Sequence, residues 1–478
     1  MTSHVLSLRQ FGLTYRLLMK FCVRTVLSYG ALRMKSVRIG LVVLGGLWLV
    51  FAALLTDQFM QGVFDADWLR PFLMNLYLMN SVLFVLLGFL LVKVTFAKAD
   101  GAAKLLHHLP ITGKMRSATL LACEFTVVSI CVFIGLLAFL FTMIRQGGIA
   151  AVSTAIAQII IPSVVAYSLL YFVWNCIARI MALLRLSRYT GMVGTIVIAM
   201  MSFAFYSSTF AMTMQIQKHW TERSTTWSVL SLFSDLSLRF GNGVSVLAGA
   251  VCASTLLIIS LVIAPKQFSA QSVYVACPIP WVSKSDLALF AAYIIRSKDM
   301  LMSVALCAVC VVGAVFTGHS EAALYATVLF SFAGLSQFAN GICIPWQRHQ
   351  SSCAYTYVCM IGSQIIVATL AWIAVTVVLL PWGGCSMMTY ACSYGALLTA
   401  IMSCTMVGII FPMARDNPAN ALLGLAAMLL VAIVAVSMVS LLQLPTWALI
   451  AAGAVMVSAI VVYSISGITT YRKGIRNA

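Results

Sequence analysis

Side chains that could carry out chemistry are scarce in this sequence. Glu124 is the one acid placed well within an apolar segment, and an ionisable group in hydrocarbon is a candidate functional site by default. Lys98, Lys114 and Arg116 lie near it in the chain, so a structural ion pair is the alternative interpretation. A transporter driven by a proton or sodium gradient usually needs a second buried acid or an unwound helix that coordinates the ion, and the sequence shows neither.

The other reactive residues do not form a catalytic pattern. The sequence contains no GxxxxGK[ST] phosphate loop, no HExxH zinc motif and no GxSxG serine motif. His107 and His108 are adjacent in a basic segment, where a solvated loop is the alternative to a metal or haem pair. Cys307 and Cys310 form a CxxC within an apolar segment, which favours packing. We therefore expect no catalytic residue, no metal site and no cofactor bound by this chain.

Long apolar segments dominate the chain. Hydrophobic residues make up 62% of it, charged residues 8%, and the mean hydropathy is +1.04. A helix that crosses a membrane needs about 20 mainly apolar residues. The sequence predicts an all-α, polytopic transmembrane helical bundle with about 12 spans, near 39–55, 72–97, 117–143, 151–177, 190–213, 244–264, 300–317, 322–343, 353–380, 388–412, 419–442 and 446–467.

The positive charges fall in alternate connections between these segments. The exceptions among the 29 basic residues are Arg70, Arg145, Lys218, Arg223 and Arg239. Because cytoplasmic loops carry an excess of Lys and Arg, this asymmetry predicts a multi-pass protein of the cell (plasma) membrane with both termini cytoplasmic. Topology and anionic lipid headgroups then account for the net charge of +18, so no nucleic-acid partner is expected.

The first 38 residues are basic and amphipathic. One helical face would carry the apolar set Leu8, Phe11, Tyr15, Leu18, Met19 and Cys22, and the opposite face the bases Arg9, Arg16, Lys20 and Arg24. This pattern predicts a cytoplasmic interfacial helix over 1–38 rather than a cleavable signal peptide. A solvated basic tail is the alternative.

The chain divides into two similar halves. We predict six spans in 39–264, a cytoplasmic connection 265–299 that contains a second interfacial helix, and six spans in 300–478. In each half an apolar-Pro pair, Leu109-Pro110 and Ile344-Pro345, precedes a basic turn into the third span. This arrangement is typical of parallel repeats, which place the substrate path of a transporter between them.

The segment KADGAAKLLHHLPITGKMRSATLL resembles the signature of ABC exporter permeases of the second type. The resemblance implies that this loop is a coupling helix that contacts a separate cytoplasmic P-loop ATPase through Asp100, Leu105, Leu106, Leu109, Pro110, Ile111 and Thr112. A degenerate second-half counterpart would use Ile344, Pro345 and Arg348, without the acid or the leucine run. An ordinary helix stop and turn is the alternative interpretation of Leu-Pro-Ile-Thr.

By this resemblance, the chain is the permease subunit of an ATP-driven transporter and not itself an enzyme. Two copies of the ATPase would drive alternating access, and membrane lipids would surround the chain. An amphipathic peptide, lipid or drug-like cargo would pass polar cavity residues, for which the candidates are Asn75, Asn80, Tyr206, Ser207 and Ser208. Hydrogen bonds between packed helices explain the same residues equally well.

Two other classes of protein fit the sequence. A stand-alone secondary transporter or lipid flippase would need no ATPase. A membrane-embedded enzyme would need acids or histidines at the membrane surface, and Asp57, Asp65 and Asp67 are the only such cluster in the sequence. A solvated loop explains that cluster better.

Overall fold

The computed structural model is helical in nearly all the residues that it describes, and it contains no strand among them. The described residues are 2–28, 35–60, 69–97, 111–214, 232–264, 285–316, 318, 320–341, 352–382, 386–410 and 446–476. Two compact units form within the chain, the first from Met1–Ala97 and Ala102–Ser269 and the second chiefly from Ala270–Ala478. The boundary lies in the predicted connection 265–299.

Eight α-helices are described in the first unit. They are α1 (Thr2–Ser28), α2 (Lys35–Met60), α3 (Leu69–Ala97), α4 (Gly113–Ala155), α5 (Ile161–Leu183), α6 (Thr190–Met214), α7 (Leu232–Phe240) and α8 (Asn242–Ile263). Gly148 interrupts α4 with φ 64° and ψ −162°, a conformation that glycine adopts without steric cost. A π-helical stretch, Ile156–Ile160, then leads directly into α5.

Helices α3 and α4 run antiparallel and form the centre of the first unit. Pairs of residues meet in reverse order along them, from Lys93 with Glu124, through Gly88 with Val128 and Phe84 with Gly135, to Tyr77 with Phe139. Close approach is possible because two of these positions are glycines. Buried side chains of α5 complete the core, which a hydrogen bond of 2.6 Å between the hydroxyls of Ser81 and Ser163 crosses.

Seven α-helices are described in the second unit. They are α9 (Asp286–Arg296), α10 (Lys298–Phe316), α11 (Ser320–Tyr325), α12 (Ala333–Gly341), α13 (Cys353–Leu379), α14 (Met387–Ile410) and α15 (Thr446–Arg476). A 3₁₀ segment, Ala326–Phe332, joins α11 to α12, so the predicted span 322–343 is an interrupted helix. Such a segment within a helix often marks a functional hinge or strain.

Helix α9 corresponds to the amphipathic stretch predicted before the seventh span. Ser285 caps it by accepting a hydrogen bond of 3.2 Å from the backbone N–H of Ala288. Its apolar side chains Phe290 and Ile294 are buried in the core of the second unit. The helix is therefore confirmed, and that part of its apolar face packs on protein.

Eight helices of the described residues are long and apolar enough to cross a membrane. They are Gly113–Arg145, Ala151–Leu183, Asn242–Ile263, Asp299–Phe316, Glu321–Ala339, Cys353–Leu379, Met387–Ile410 and Gly453–Arg472. An all-α, multi-pass architecture follows from them. The count of twelve spans and the duplication into two repeats stay predictions, and the predicted span 419–442 lies outside the described residues.

Candidate functional site

Glu124 is buried in the first unit and forms an ion pair with Lys93. Lys93 Nζ donates to Glu124 Oε2 at 2.6 Å, and only 9% of the lysine side chain and 3% of the glutamate side chain are exposed. The pair lies one turn before the end of α3 at Ala97 and joins it to α4.

Glu124 forms the structural ion pair that was the alternative interpretation, but with Lys93, which was not among the predicted partners. Lys114 and Arg116 precede it on the same helix by ten and eight residues, which places them about 15 Å and 12 Å away along the axis. Neither side chain is a neighbour of the kind that helical spacing of three or four residues provides. Lys93 meets Glu124 instead because α3 and α4 are antiparallel, and Lys98 lies outside the described residues.

Three aromatic rings surround the ammonium group of Lys93. Its Nζ lies 4.9 Å from the ring centroid of Tyr171, 5.2 Å from that of Trp174 and 5.3 Å from that of Phe89. Each distance is within the range of a cation–π interaction, which strengthens when the cation is removed from water. The carboxylate and the rings together offset the cost of burying the charge, and they tie α5 to α3 and α4.

Trp174 is itself held in place by a glycine on α6. A Cβ at Gly194 would lie 2.6 Å from Cζ3 of the Trp174 ring, so no larger residue fits there without displacing the indole. Phe89 also meets Trp174 edge to face, with ring centroids 6.2 Å apart. The Lys93–Glu124 pair is therefore the centre of a packed junction between four helices, α3 to α6.

The predicted coupling segment, residues 98–112, connects α3 to α4 in the sequence. Thr112 begins α4 as its N-cap, with its side chain accepting a hydrogen bond of 3.4 Å from the backbone N–H of Met115. Ile111, before it, is half-buried. The other predicted contact residues of both halves, Asp100, Leu105, Leu106, Leu109, Pro110, Ile344, Pro345 and Arg348, lie outside the described residues.

A second ion pair lies farther along α4, just before the interruption at Gly148. Arg145 Nη1 donates to Asp57 Oδ2 at 2.5 Å and joins the end of α2 to α4. Asp57 is buried, although the sequence assigned it to a solvated acidic cluster with Asp65 and Asp67, which lie outside the described residues. Asp57 follows the first predicted span and Arg145 the third, and these opposite charges on the same predicted side of the membrane are the signal that could have revealed the pair.

The polar candidates Asn75 and Asn80 do not share an environment. Asn75 is buried in the first unit, and its Oδ1 has no hydrogen-bond partner among the described residues. Asn80 is exposed. Tyr206, Ser207 and Ser208 lie on α6, but their side chains are outside what the structure describes.

A buried polar network in the second unit was missed by sequence reasoning. The side-chain amide of Gln364 donates to the Ser331 carbonyl at 2.9 Å and accepts from the Thr405 hydroxyl at 2.8 Å. Gln337 donates to the Met360 carbonyl at 3.2 Å and to the Ser363 hydroxyl at 3.1 Å. These neutral residues connect the interrupted helix with α13 and α14, and glutamines within apolar segments were the available signal.

One atom of this network is unsatisfied. Gln337 is fully buried, and its Oε1 has no hydrogen-bond partner among the described residues. The amide is oriented by the Met360 carbonyl, which can only accept, so exchanging its oxygen and nitrogen would lose that bond. Oε1 is therefore an acceptor that a donor or a cation could use.

Neither unit presents a metal-binding cluster of His, Cys, Asp and Glu within the described ranges. Cys307 packs in the core of the second unit, in agreement with the packing interpretation of the CxxC. The chain matches no family model, no curated protein and no solved structure.

Proposed function

We propose that this chain is the membrane-spanning permease subunit of an ATP-driven ABC transporter that exports an amphipathic peptide, lipid or drug-like molecule. A separate cytoplasmic P-loop ATPase, in two copies, would supply the energy, so the chain itself catalyses no reaction. Membrane lipids surround it, and both termini face the cytoplasm of a cell whose plasma membrane it spans.

The observation that carries this proposal is the packed junction between α3 and α4, the two helices that the segment 98–112 connects in the sequence. A loop that receives a push transmits it only if the helices on both sides respond together. The Lys93–Glu124 pair joins α3 and α4, and its aromatic surround includes α5. A displacement of the loop would therefore move three or more helices as one body.

Alternating access follows from rigid-body motion of this kind. Closure of two ATPase subunits on ATP would press on the coupling segments and rock the halves, so that a path opens to one side and then to the other. The chain contributes different contacts with cargo in the two states, because a ligand shifts an equilibrium only by its differential affinity.

Affinity purification of the tagged chain in mild detergent tests the proposal, with ATP hydrolysis measured in the eluate. We expect a P-loop ATPase to co-elute and to be lost when Leu105–Ile111 is replaced by a Gly/Ser linker of equal length. The same replacement over residues 218–224, in a predicted outer connection, is the matched control and should retain the ATPase. Elution of the chain alone, without hydrolysis under any condition, would contradict the proposal.

A stand-alone secondary transporter is the second candidate, and one observation in the second unit favours it. Discontinuous helices with unsatisfied polar groups are typical of ion and substrate sites in such proteins. The 3₁₀ segment Ala326–Phe332 interrupts a candidate span, and the free acceptor of Gln337 lies in the helix that follows. Uptake by reconstituted vesicles that persists without nucleotide, responds to a sodium or pH gradient and fails in Gln337→Leu would support this candidate.

A further inference from the structure

Helix α1 packs against α4 along the stretch from Tyr15 to Met19. The hydroxyl of Tyr15 lies 2.9 Å from that of Thr126, and Met19 Sδ lies 3.3 Å from Cys123 Sγ. Leu18, between them, is completely buried. The apolar face that the sequence assigned to the membrane is thus covered, over this stretch, by the protein itself.

The opposite side of α1 remains open. The exposed side chains of α1 include Arg9, Leu13, Arg16, Leu17, Lys20 and Arg24, and this set is called the exposed face of α1 below. Leu13 is 56% exposed and Leu17 is 53% exposed. The two leucines are four residues apart and therefore lie on the same face of the helix. Four bases stand beside these leucines, and α1 contains no acid that could neutralise them. Exposed leucines among bases are typical of a helix that lies on an anionic membrane.

Charged residues mark two levels along the helices of the first unit. Glu124 and Arg145 bracket a run of α4 without charge, and the rise between them is about 32 Å. Arg38 and Asp57 bracket a similar run of α2, with a rise of about 29 Å. Both values match a hydrocarbon core about 30 Å thick. Asp57 pairs with Arg145, so the two runs end at the same level.

The contact of α1 with α4 lies at the other level. Cys123 and Thr126, the α4 residues that α1 touches, flank Glu124 in the sequence. Helix α1 therefore joins the first unit where the uncharged run of α4 begins. At that depth its exposed leucines can enter the acyl boundary while its bases stay among headgroups.

We infer that the exposed face of α1 binds the anionic headgroups of phospholipids, at the level of the Lys93–Glu124 pair. The bases attract phosphates, and Leu13 and Leu17 insert beside them. A consequence concerns α4, whose residues 113–123 precede that level. At 1.5 Å per residue they extend about 16 Å beyond it, so α4 begins outside the hydrocarbon core. This inference stands whether or not an ATPase binds the segment 98–112.

Site-specific photocrosslinking of the full chain in nanodiscs tests the inference. The discs contain equal amounts of phosphatidylglycerol and phosphatidylcholine, and p-benzoylphenylalanine replaces Leu17. We expect lipid adducts in which phosphatidylglycerol is enriched severalfold. The same amino acid in place of Tyr15 should cross-link to α4 instead, which verifies that α1 packs as described.

Charge neutralisation identifies the cause of the enrichment. Lys20→Gln should lower the ratio of phosphatidylglycerol to phosphatidylcholine adducts at Leu17 by up to about fivefold at low salt, because each base near an anionic surface contributes about that factor. Lys114→Gln is the matched control. This exposed base lies ten residues before Glu124, about 15 Å beyond the proposed level, and should leave the ratio unchanged.

Three outcomes would overturn the inference. Equal labelling of the two lipids would show that the bases do not select headgroups. Cross-linking from Leu17 to a protein would show that the face is a protein interface. Equal effects of Lys20→Gln and Lys114→Gln would show that net charge, and not the position of α1, determines the preference.

Discussion

The two units satisfy their buried polar groups by different means. The first unit holds a full ion pair, Lys93 with Glu124, within a ring of aromatic side chains. The second unit uses neutral groups, with Gln364 bridging the Ser331 carbonyl and the Thr405 hydroxyl. Because a buried charge without its partner costs far more free energy than an unpaired amide, the two units should respond very differently to loss of one group.

The difference also separates a rigid region from an adaptable one. An ion pair enclosed by three aromatic side chains has one favourable arrangement, so α3 and α4 should keep their register around Lys93 and Glu124. Neutral hydrogen bonds are weaker and can be exchanged, and those of the second unit surround the 3₁₀ segment Ala326–Phe332. We expect the helices around the Lys93–Glu124 pair to move less relative to one another than the helices around the 3₁₀ segment.

Loss of Lys93 should have the largest effect. Lys93→Met removes the positive charge and leaves Glu124 buried without it, which should lower the free energy of unfolding by about 3–5 kcal/mol. Denaturant titration of the purified protein in mixed micelles measures the change.

A double variant separates the charge from the packing. In Lys93→Met with Glu124→Met no buried charge remains, and the stability should return to that of the wild type or exceed it. A double variant as unstable as Lys93→Met alone would mean that the contacts of the Lys93 ammonium with the three aromatic side chains, and not the ion pair, hold the junction together.

Gly408→Ala should have the next largest effect, and it acts on the second unit. A Cβ at Gly408 would lie 2.6 Å from the Gly334 carbonyl oxygen, a backbone atom that cannot move aside by rotating. Separation of α12 from α14 should cost about 1–3 kcal/mol of unfolding free energy in the same titration.

Gly395→Ala, on the same helix, is the matched control. A Cβ there would meet nothing within 4 Å, and alanine is the better helix former, so the stability should stay the same or rise slightly. Equal losses at the two glycines would show that the close approach of α12 and α14 does not hold the neutral network together.

Gln364→Leu should have a smaller effect than either. The substitution leaves the Ser331 carbonyl without this donor, but the Thr405 hydroxyl keeps its bond of 2.8 Å to the Ile401 carbonyl. We expect a loss of about 1 kcal/mol, the usual value for one hydrogen bond. A double-mutant cycle with Thr405→Val measures the coupling, and a loss as large as that of Lys93→Met would abolish the contrast between the units.

Apolar periodicity and charge asymmetry were enough to predict helices throughout the chain, because the length of an apolar run and the cost of burying charge are local properties. They placed helices at α3, α13 and α14 with small errors at the ends. These helix positions can be predicted without knowing which helices pack against one another.

Contacts between helices could not be predicted in the same way. Glu124 was recognised as buried, yet its partner depends on the register of α3 against α4, which glycines and side-chain volumes determine together. The neutral network was missed because Gln337 and Gln364 have no charge pattern, and the 3₁₀ interruption near them has no proline or glycine signal within Ala326–Phe332.

Arg145→Gln should have the smallest effect, and it compares the two ion pairs of the first unit. The Arg145 side chain is 60% exposed, so water can take the place of its bond to Asp57, and the loss should be less than about 1 kcal/mol. Raising the salt concentration should weaken the wild-type Asp57–Arg145 pair while leaving the buried Lys93–Glu124 pair nearly unaffected. The free energy of unfolding should therefore differ less between Arg145→Gln and wild type at high salt than at low salt. The difference between Lys93→Met and wild type should be the same at both salt concentrations. A salt-independent loss at Arg145 would mean that burial of Asp57, and not exposure of its partner, sets the strength of this pair.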